Sequence, residues 1–481
     1  MSADKHTDMP EEQKPYAHKG DLTNGPVKNH LIRMTVPMIW GLFAVIAVQL
    51  ADTYFISLMN DTDILAGISF TFPVTMLISH LVFGINIALS SLVARLLGAK
   101  ELDDMRRVVL HGIMMAFIAA TLIASITYIF LEPLFFMLGA DENTYPSVAA
   151  YMPLWLLASI ILSIPVNANS AMRASGDTLW PAIIMSFIAL VNVILDPLLI
   201  FGLAGFPEMG VKGAALATLI GYSAGMVLAL YILVKRKNLV ATHSLCLDKF
   251  KDSMKRLLVI AIPAGIGNII GPASSAVIVA ILASQGAEAV AAFGVASRVE
   301  ALALLVVIAL SIGMAPIIGQ NWGARKFKRV HQTINLAIAF NIAWSALIAV
   351  ILALLAKPIA SSFSDDPLVV EYTVLFFWIV PFSYGIGNLV FGWSSAFNAM
   401  GKPQKAFVMI VVKSLVMTIP AVFIGGWLYG IKGIFGAIAL SNIVAGAVFH
   451  ILSSRQCYAE EQRCIEEDKA SKNPQSASAS V

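Results

Sequence analysis

Two aspartates lie inside stretches of the chain that are otherwise apolar. Asp52 falls in the run 35–58, and Asp196 falls in the run 181–204. A carboxylate at membrane depth is costly and usually faces the protein interior or a water-filled cavity, where it marks an ion or substrate path. The simpler alternatives are a side chain near the membrane interface for Asp52 and a cap on the break at Pro197 for Asp196. We interpret both carboxylates as groups that bind a coupling ion.

Other oxygen donors are predicted at the same depth. Asn192 lies one helical turn before Asp196 and shares its face, and Pro197 frees the backbone carbonyl of Val193 because it has no N–H to donate. Thr218, on the following span, is expected at the same level. These oxygens suit a proton or a small hard cation such as Na⁺. The alternatives are an ordinary interhelical hydrogen bond for Asn192 and small-residue packing for Thr218.

The composition indicates which class of protein contains these carboxylates and their neighbouring oxygen donors. Of the 481 residues, 58% are hydrophobic and only 13% are charged, whereas a soluble domain has about 25% charged residues. The chain is therefore predicted to be an all-α membrane protein. Its three cysteines, Cys246, Cys457 and Cys464, lie in polar segments. Their number and spacing indicate neither a disulfide framework nor a metal-binding pair.

A transmembrane helix needs about 20 apolar residues, and twelve segments of the chain meet this requirement. Their predicted bounds are 31–57, 62–90, 106–138, 147–170, 178–204, 211–234, 254–284, 288–317, 328–357, 369–398, 403–429 and 432–454. They divide the chain into a polar N-terminal tail (1–30), a first lobe of six helices (31–234), a basic linker (235–253), a second lobe of six helices (254–454) and a disordered tail (455–481).

Positive charges are unevenly distributed between the two sides of these spans. The tails and even-numbered loops hold 27 of the Lys and Arg residues, and the odd-numbered loops hold 3. Because cytoplasmic loops carry the excess of Lys and Arg, both termini are predicted to be cytoplasmic. The expected location is the inner membrane of a bacterial cell.

The two lobes are repeats of one another. Residues 170–176 (Ser-Ala-Met-Arg-Ala-Ser-Gly) recur as 395–401 (Ser-Ala-Phe-Asn-Ala-Met-Gly), and 98–100 (Gly-Ala-Lys) recur as 323–325 (Gly-Ala-Arg). The two pairs of segments are separated by the same offset along the chain. Since each lobe has an even number of spans, the repeats are parallel and are related by an axis along the membrane normal. This arrangement, with a central cleft between the lobes, is typical of transporters.

The two aspartates are not part of what is repeated. The positions that correspond to Asp52 and Asp196 in the second lobe hold Ile278 and Ala421. Because the repeat is built without them there, the asymmetry favours a functional role over a packing role.

Further polar groups are candidates for supporting roles. Gln49 lies one turn before Asp52 and is expected either to orient it or to serve the structure. Arg298 is interpreted as a brace of the second lobe or a substrate contact, and Lys413 as a cavity lysine or one that reaches the interface. The sequence has no phosphate-binding loop of the G-x-x-x-x-G-K-[ST] type. An enzyme or ATP-driven pump is therefore not expected, and no cofactor is predicted beyond the coupling ion, H⁺ or Na⁺.

Several segments in combination resemble the multidrug and toxic compound extrusion (MATE) transporters. The resemblance implies two six-helix bundles around a central cleft, alternating access, and export of organic cations in exchange for H⁺ or Na⁺. The segments are Val-Pro-Met at 36–38, Ala-Asp-Thr at 51–53, Ala-Ser-Gly-Asp at 174–177, Asn-x-x-x-Asp-Pro at 192–197 and Gly-Val-Lys-Gly-Ala-Ala at 210–215.

The resemblance is to the DinF-like branch of that family. NorM-like members carry acidic residues in the seventh and tenth spans, and the corresponding segments here, Pro263–Ala283 and Trp378–Asn398, contain none. Carried over by position, the implied cation site consists of Asp52, Asn192, Asp196 and Thr218, with the carbonyl of Ala214 as a further ligand.

We therefore expect a multidrug antiporter whose partners are small organic cations and membrane lipids, with no nucleic acid, and which is a monomer. One alternative is a flippase for lipid-linked oligosaccharides, which would usually line the cleft with several Arg or Lys; here only Arg298 and Lys413 lie within spans and away from their ends. A second alternative is a channel or a membrane scaffold. The presence of the two carboxylates in the first lobe only argues against it.

Overall fold

The computed structural model describes residues 20–59, 62–240 and 247–472, and every regular element in that part of the chain is a helix. The first half contains α1 (Val27–Ser57), α2 (Thr62–Gly98), α3 (Leu102–Ile129), α4 (Leu131–Met137), α5 (Tyr145–Ala174), α6 (Leu179–Ile200) and α7 (Val211–Tyr231). The second half contains α8 (Leu247–Ala283), α9 (Ala287–Gly323), α10 (Phe327–Leu354), α11 (Ala356–Phe363), α12 (Pro367–Ile379), α13 (Tyr384–Gly387), α14 (Leu389–Ala399), α15 (Pro403–Val411) and α16 (Ile419–Lys472).

The number of membrane spans depends on whether the last helical run is counted as one span or as two. In the described residues, 11 runs are long and apolar enough to cross a membrane, and the last of them is Pro403–Lys469. That run reverses at Gly430 (φ 59°, ψ −140°), a conformation that only glycine adopts readily. After the reversal the chain packs on itself, because a Cβ at Gly433 would lie 1.9 Å from Gly425 O. The run is therefore two spans, and the predicted twelve-helix, all-α membrane fold is confirmed.

The backbone repeats as the sequence does. Gly210, the residue before α7, has φ 55° and ψ −135°, nearly the same conformation as Gly430 in the second half. Lys100 and Arg325, which occupy corresponding positions of the repeated motif, both have positive φ, at 65° and 59°. The prediction of two parallel six-helix repeats is confirmed by these matching turns.

The two halves meet closely near the ends of α2 and α9. A Cβ at Gly98 would lie 2.0 Å from Gln320 O, and a Cβ at Gly323 would lie 2.1 Å from Arg95 O. These two contacts are related by the repeat. We call this end of the bundle, where residues 20–26 and 455–472 also lie, the basic face. The backbones can approach this closely only because neither glycine has a side chain.

The N-terminal segment that precedes α1 is part of this closure. Leu22 is fully buried, and its N–H donates to Gln320 Oε1 at 2.9 Å. The amide nitrogen of Gln320 donates to Ala174 O at 2.8 Å. Residues from the N-terminal segment, the first half and the second half thus join at one buried amide. Residues 1–19 of the predicted tail lie outside the described part of the chain.

The prediction of a disordered tail from residue 455 is wrong as far as Lys472, because α16 continues to that residue. Two ion pairs that were not evident from the sequence hold this extension. Glu460 pairs with Lys402 (2.7 Å) and with Lys405 (2.8 Å). Cys457, one turn earlier, is fully buried. Residues 473–481 lie outside the described residues.

Two other predicted bounds also change. The basic linker predicted at 235–253 is shorter, because α8 begins at Leu247; Cys246 lies outside the described residues. The third span, predicted as 106–138, is broken at Phe130 between α3 and α4.

Candidate functional site

Three helices of the first half bring the predicted site residues together. Asp52 lies near the end of α1, Asn192 and Asp196 lie on one face of α6, and Thr218 lies on α7. Asp196 and Asn192 are 0% and 1% exposed, Thr218 is buried, and Asp52 is partly buried. The two carboxyl groups therefore lie inside the protein and not at the lipid surface.

Close packing of α7 on α6 makes this meeting possible. A Cβ at Gly213 would lie 2.4 Å from Leu199 O, and a Cβ at Gly225 would lie 2.3 Å from the side chain of Ile188. Small residues allow helices in a membrane to approach at such short range. Thr218 lies between these two glycines on α7, and the close approach brings its hydroxyl within reach of Asn192.

The amide of Asn192 links the other polar groups. Its orientation is set by the hydrogen-bonding network, with the nitrogen facing the two carboxyl groups. Nδ2 donates to Asp52 Oδ1 at 2.7 Å and to Asp196 Oδ2 at 2.9 Å, and Oδ1 accepts from Thr218 Oγ1 at 3.2 Å. The opposite orientation would place the amide oxygen against two acceptors. Asn192 is thus the shared donor of the carboxyl pair.

The Thr218 hydroxyl has two acceptors within reach. It lies 3.1 Å from Ala214 O as well as 3.2 Å from Asn192 Oδ1. Because a hydroxyl has one proton to donate, it can satisfy only one of them at a time. An oxygen lone pair therefore stays available on either the Ala214 carbonyl or the amide.

The carboxyl pair is not satisfied by protein donors alone. Asp52 Oδ1 and Asp196 Oδ2 lie 2.7 Å and 2.9 Å from the same Asn192 nitrogen, so the two carboxyl groups are close neighbours. Asp196 Oδ1 is buried and has no hydrogen-bond donor among the described residues. Two carboxylates this close repel each other unless a proton or a cation lies between them. The site can therefore exchange its charge by taking up and releasing a proton or a small cation.

The ligand atoms at this site are all oxygens, which suits H⁺ or Na⁺ and not a soft transition metal. Within the described ranges, no group of three His, Cys, Asp or Glu side chains could hold a metal ion. Any bound Na⁺ would therefore draw on the two carboxylates, the Thr218 hydroxyl and backbone carbonyls such as Ala214 O.

The proposed supporting residues are placed differently. Ala214 belongs to the site through its carbonyl, as described above. Gln49 is exposed, and the donor that orients Asp52 is Asn192. Arg298 is exposed on α9, and Lys413 lies between α15 and α16 in the second half. The structure does not bring Gln49, Arg298 or Lys413 to the carboxyl pair.

Two tyrosines near the carboxyl pair were missed by the sequence reasoning. Tyr151 on α5 lies near both aspartates, and Tyr222 on α7 lies near Asp52. Tyr222 follows Thr218 by one helical turn, so helical periodicity could have identified it. Tyr151 had no such signal, because only the packing of α5 on α7 brings it there.

With this geometry established, comparison with known proteins assigns the family. The MatE family model matches residues 37–198 and again residues 263–424, once in each half. The chain belongs to the MATE family. The two matched ranges are separated by nearly the same offset as the repeated motifs, so the family unit coincides with the internal repeat.

Curated MATE relatives cover almost the whole chain. A protein named "FAD transporter" from Shewanella oneidensis is 35% identical over 436 residues, which are 91% of this chain and 96% of that protein. A protein named "Multidrug export protein MepA" from Staphylococcus aureus is 24% identical over 455 residues, or 93% of this chain and 98% of that protein. The MATE resemblance inferred from the sequence is confirmed.

Solved MATE structures have the same fold. The Vibrio cholerae MATE transporter VcmN in its bent form superposes with a TM-score of 0.85 and 29% identity, covering 90% of this chain and 97% of that one. A MATE transporter solved in an outward-facing conformation has a TM-score of 0.86 at 22% identity, with 92% and 99% coverage. The second comparison supports the fold alone.

Proposed function

We propose that this protein exports small organic compounds across the bacterial inner membrane in exchange for H⁺ or Na⁺. The observation that carries the proposal is the pair Asp52 and Asp196, joined by Asn192 in the first half and without a counterpart in the second. The MepA relatives, named as multidrug exporters, support this class of cargo. On this proposal both termini are cytoplasmic, and the branch is the DinF-like one.

The proposed cycle couples charge at the carboxyl pair to movement of the two halves. Uptake of a proton or Na⁺ neutralises one carboxylate and removes much of the cost of enclosing the pair. The helices can then close around the site and open the opposite side of the cleft. Release of the ion restores the charge and returns the protein to the state that accepts the next ion. Cargo and ion compete for the same conformation of the protein. Export of the cargo is therefore coupled to uptake of the ion.

The direct test is export of a fluorescent organic cation by proteoliposomes under an imposed proton gradient or an imposed Na⁺ gradient. Export driven by one gradient would identify the coupling ion. Asp52→Asn should abolish that export while the protein stays folded, because the variant lacks one of the two carboxyl groups whose charge the ion neutralises. Lys357→Met is a matched control, since Lys357 is exposed and distant in sequence from the site. Full export by Asp52→Asn would contradict the proposal.

A second candidate cargo is a flavin nucleotide. The Shewanella relative named "FAD transporter" is 35% identical over nearly the full length, and a partly buried lysine, Lys413, is present in the second half. FAD is fluorescent, so its release from loaded proteoliposomes can be followed with the same gradients. Gradient-dependent FAD release that competes with organic cations would assign both cargoes to one path. Absence of FAD release alongside cation export would exclude it.

The flippase alternative makes a different prediction. A flippase is expected to leave lipid-linked precursor on the cytoplasmic side when its gene is deleted. Accumulation of such a precursor, together with no gradient-driven export of organic compounds, would favour that alternative over the antiporter.

A further inference from the structure

A groove opens at the basic face between two helices of the second half. It lies between the first turns of α8 and the start of α15 and has a volume of about 490 Å³. This is within the range of pockets that hold small-molecule ligands, about 300–1,000 Å³. Arg256, on the same part of α8, pairs with Asp104 at the start of α3 at 2.7 Å. The groove therefore lies at the level where α2 ends and α3 begins, which is the basic face.

Comparison of the two repeats shows why α8 and α15 separate there. Gly41 on α1 corresponds to Gly267 on α8, by the offset between the two matched family units. A Cβ at Gly41 would lie 3.3 Å from Ala182 Cα, so the backbone of α6 itself packs against α1. Among the described residues, the atoms nearest to a Cβ at Gly267 are the ends of the Ile410 and Phe407 side chains, at 3.5 and 3.8 Å. Phe407, which occupies the position of Ala182, therefore keeps the backbone of α15 farther from α8.

A hydrogen bond that joins the first pair of helices also has no counterpart in the second pair. Thr178 Oγ1, just before α6, donates to Arg33 O on α1 at 3.1 Å. Counted from the adjacent repeated motifs, the corresponding residues are Pro403 and Val259. A proline has neither a hydroxyl nor an N–H to donate. The second pair of helices thus lacks this link at the basic face, at the point where the groove opens.

The lining of the groove changes from polar to apolar along α8. Lys251 and Lys255 lie one helical turn apart on one face of α8, and Gln404 faces them from the start of α15. The same face of α8 continues with exposed apolar side chains, which reach about 10 Å farther along the helix axis than Lys255. These apolar residues are Leu258, Val259 and Ile262. The groove is therefore basic at its outer end and apolar towards the membrane interior.

The two lysines of the groove are free to bind a ligand. Both are exposed, and neither Lys251 nor Lys255 forms an ion pair with a residue that the structure describes. The neighbouring carboxylates of Asp104 and Asp252 lie 2.7 and 3.8 Å from Arg256 and are engaged by it. The other two charges at the start of α8 offset each other in sign: Asp248 and Lys249. The outer end of the groove therefore has an excess of positive charge.

We propose that this groove binds an anionic phospholipid of the leaflet at the basic face. The lipid phosphate would accept hydrogen bonds from the two lysine ammonium groups and from the Gln404 amide. One acyl chain would lie along the apolar part of the groove. Basic pockets between transmembrane helices bind anionic headgroups in this way. A soluble phosphate ester would leave the apolar part unfilled, so the combination of two lysines and an apolar extension selects a lipid. The inference does not depend on what the protein exports.

The test is native mass spectrometry of the full-length protein in detergent, titrated with phosphatidylglycerol or with phosphatidylcholine of the same chain length. Wild type should bind phosphatidylglycerol about fivefold or more tightly, because the choline group of the other lipid carries a compensating positive charge. Glycerol 3-phosphate at the same concentration should not displace phosphatidylglycerol, since it has no acyl chain. Displacement would indicate a site for soluble phosphate esters and would overturn the lipid assignment.

Removal of the two lysines tests the contribution of charge. Lys251→Met/Lys255→Met should lower the affinity for phosphatidylglycerol about tenfold or more, because each basic residue at a membrane surface adds attraction for anionic lipid. The affinity for phosphatidylcholine should stay within about twofold of wild type. The matched control is Lys249→Met/Lys328→Met, which removes two exposed lysines at the basic face that do not line the groove. Equal losses in the two double variants would indicate general attraction to the basic face and would overturn the assignment.

Val259→Trp tests the groove without changing any charge. The larger side chain would occupy the apolar part of the groove and should lower the affinity for both lipids about fivefold or more. Val259 is 51% exposed, so the variant should keep the elution volume and circular dichroism spectrum of wild type. Unchanged lipid affinity in Val259→Trp, or equal affinity of wild type for the two lipids, would overturn the assignment.

Discussion

Gly98 packs against the carbonyl of Gln320 so closely that a Cβ at position 98 would lie 2.0 Å from that oxygen. The repeat generates the partner contact, in which a Cβ at Gly323 would lie 2.1 Å from Arg95 O. The two halves of the protein thus meet at the basic face through a pair of symmetry-related glycines. A transporter that alternates between two openings must break such a contact in each cycle.

We expect Gly98→Ala to weaken closure at the basic face, because the added methyl group would overlap a backbone oxygen that has little freedom to move. Overpacking of this kind costs about 1–3 kcal/mol, which corresponds to a fall of about 5- to 150-fold in the ratio of closed to open protein. Distances between spin labels on α2 and α9, measured by electron–electron double resonance, would report the shift, and export should slow in parallel.

The chain offers a matched control for that substitution. A Cβ at Gly271, on α8, would have no atom within 4 Å, so Gly271→Ala adds the same methyl group to a membrane helix without a clash. It should leave the spin-label distances and the export rate unchanged. Equal distance distributions for Gly98→Ala and wild type would show that this contact does not determine closure.

Asn192→Leu should uncouple the ion from export. The leucine has nearly the same volume, but it removes the donor to Asp52 and Asp196 and leaves both carboxyl groups without that hydrogen bond. We expect gradient-driven export to fall about tenfold or more, since a charge-assisted hydrogen bond contributes about 1.5–3 kcal/mol. The measurement is export at a series of proton and Na⁺ gradients, in which the dependence on the coupling ion should change.

Asn167→Leu is the comparison for that variant. Asn167 is fully buried, and among the described residues its amide donates only to Ser163 O, on its own helix, at 2.8 Å. If the two variants lose export to the same extent and with the same ion dependence, the effect comes from replacing a buried amide and not from the carboxyl pair.

Attachment of the C-terminal extension should depend on pH through Glu460. Burial favours the neutral acid, but ion pairs with Lys402 and Lys405 outweigh it and lower the pKa of Glu460 from 4.5 to about 2. A lowered pKa contributes stability that is present above about pH 4.5 and is lost as the pH falls towards 2. Glu460→Gln should therefore lower the free energy of unfolding at neutral pH by about 1–3 kcal/mol, after allowance for solvent around the lysines.

The check is a set of thermal unfolding curves in detergent between pH 7 and the acid range. The difference between wild type and Glu460→Gln should shrink as the pH falls below about 4.5. Glu467→Gln, an exposed change on the same extension, should have little effect at any pH. A difference that stays constant down to low pH would mean that Glu460 does not act through its charge.

The sequence by itself determined the parts of this protein that depend on local physics. Twelve apolar runs, the constant offset between repeated motifs and the lone aspartates at membrane depth are all properties of the linear chain. Lipid excludes unpaired backbone groups, so each apolar run of sufficient length becomes a helix. The fold class followed from these features, and so did the choice of Asp52, Asn192, Asp196 and Thr218 as candidates.

Only the tertiary structure decided which of these groups meet and how. That Asn192 serves both carboxyl groups depends on the packing of α1 against α6, and the position of Tyr151 depends on the packing of α5 against α7. The order of residues 455–472 was not predictable, because a polar segment has the composition of a disordered one. The lysines that pair with Glu460, Lys402 and Lys405, lie at the start of α15, far from it in sequence. Contacts between helices depend on their packing angles and rotations, which the spacing of residues in one helix does not determine.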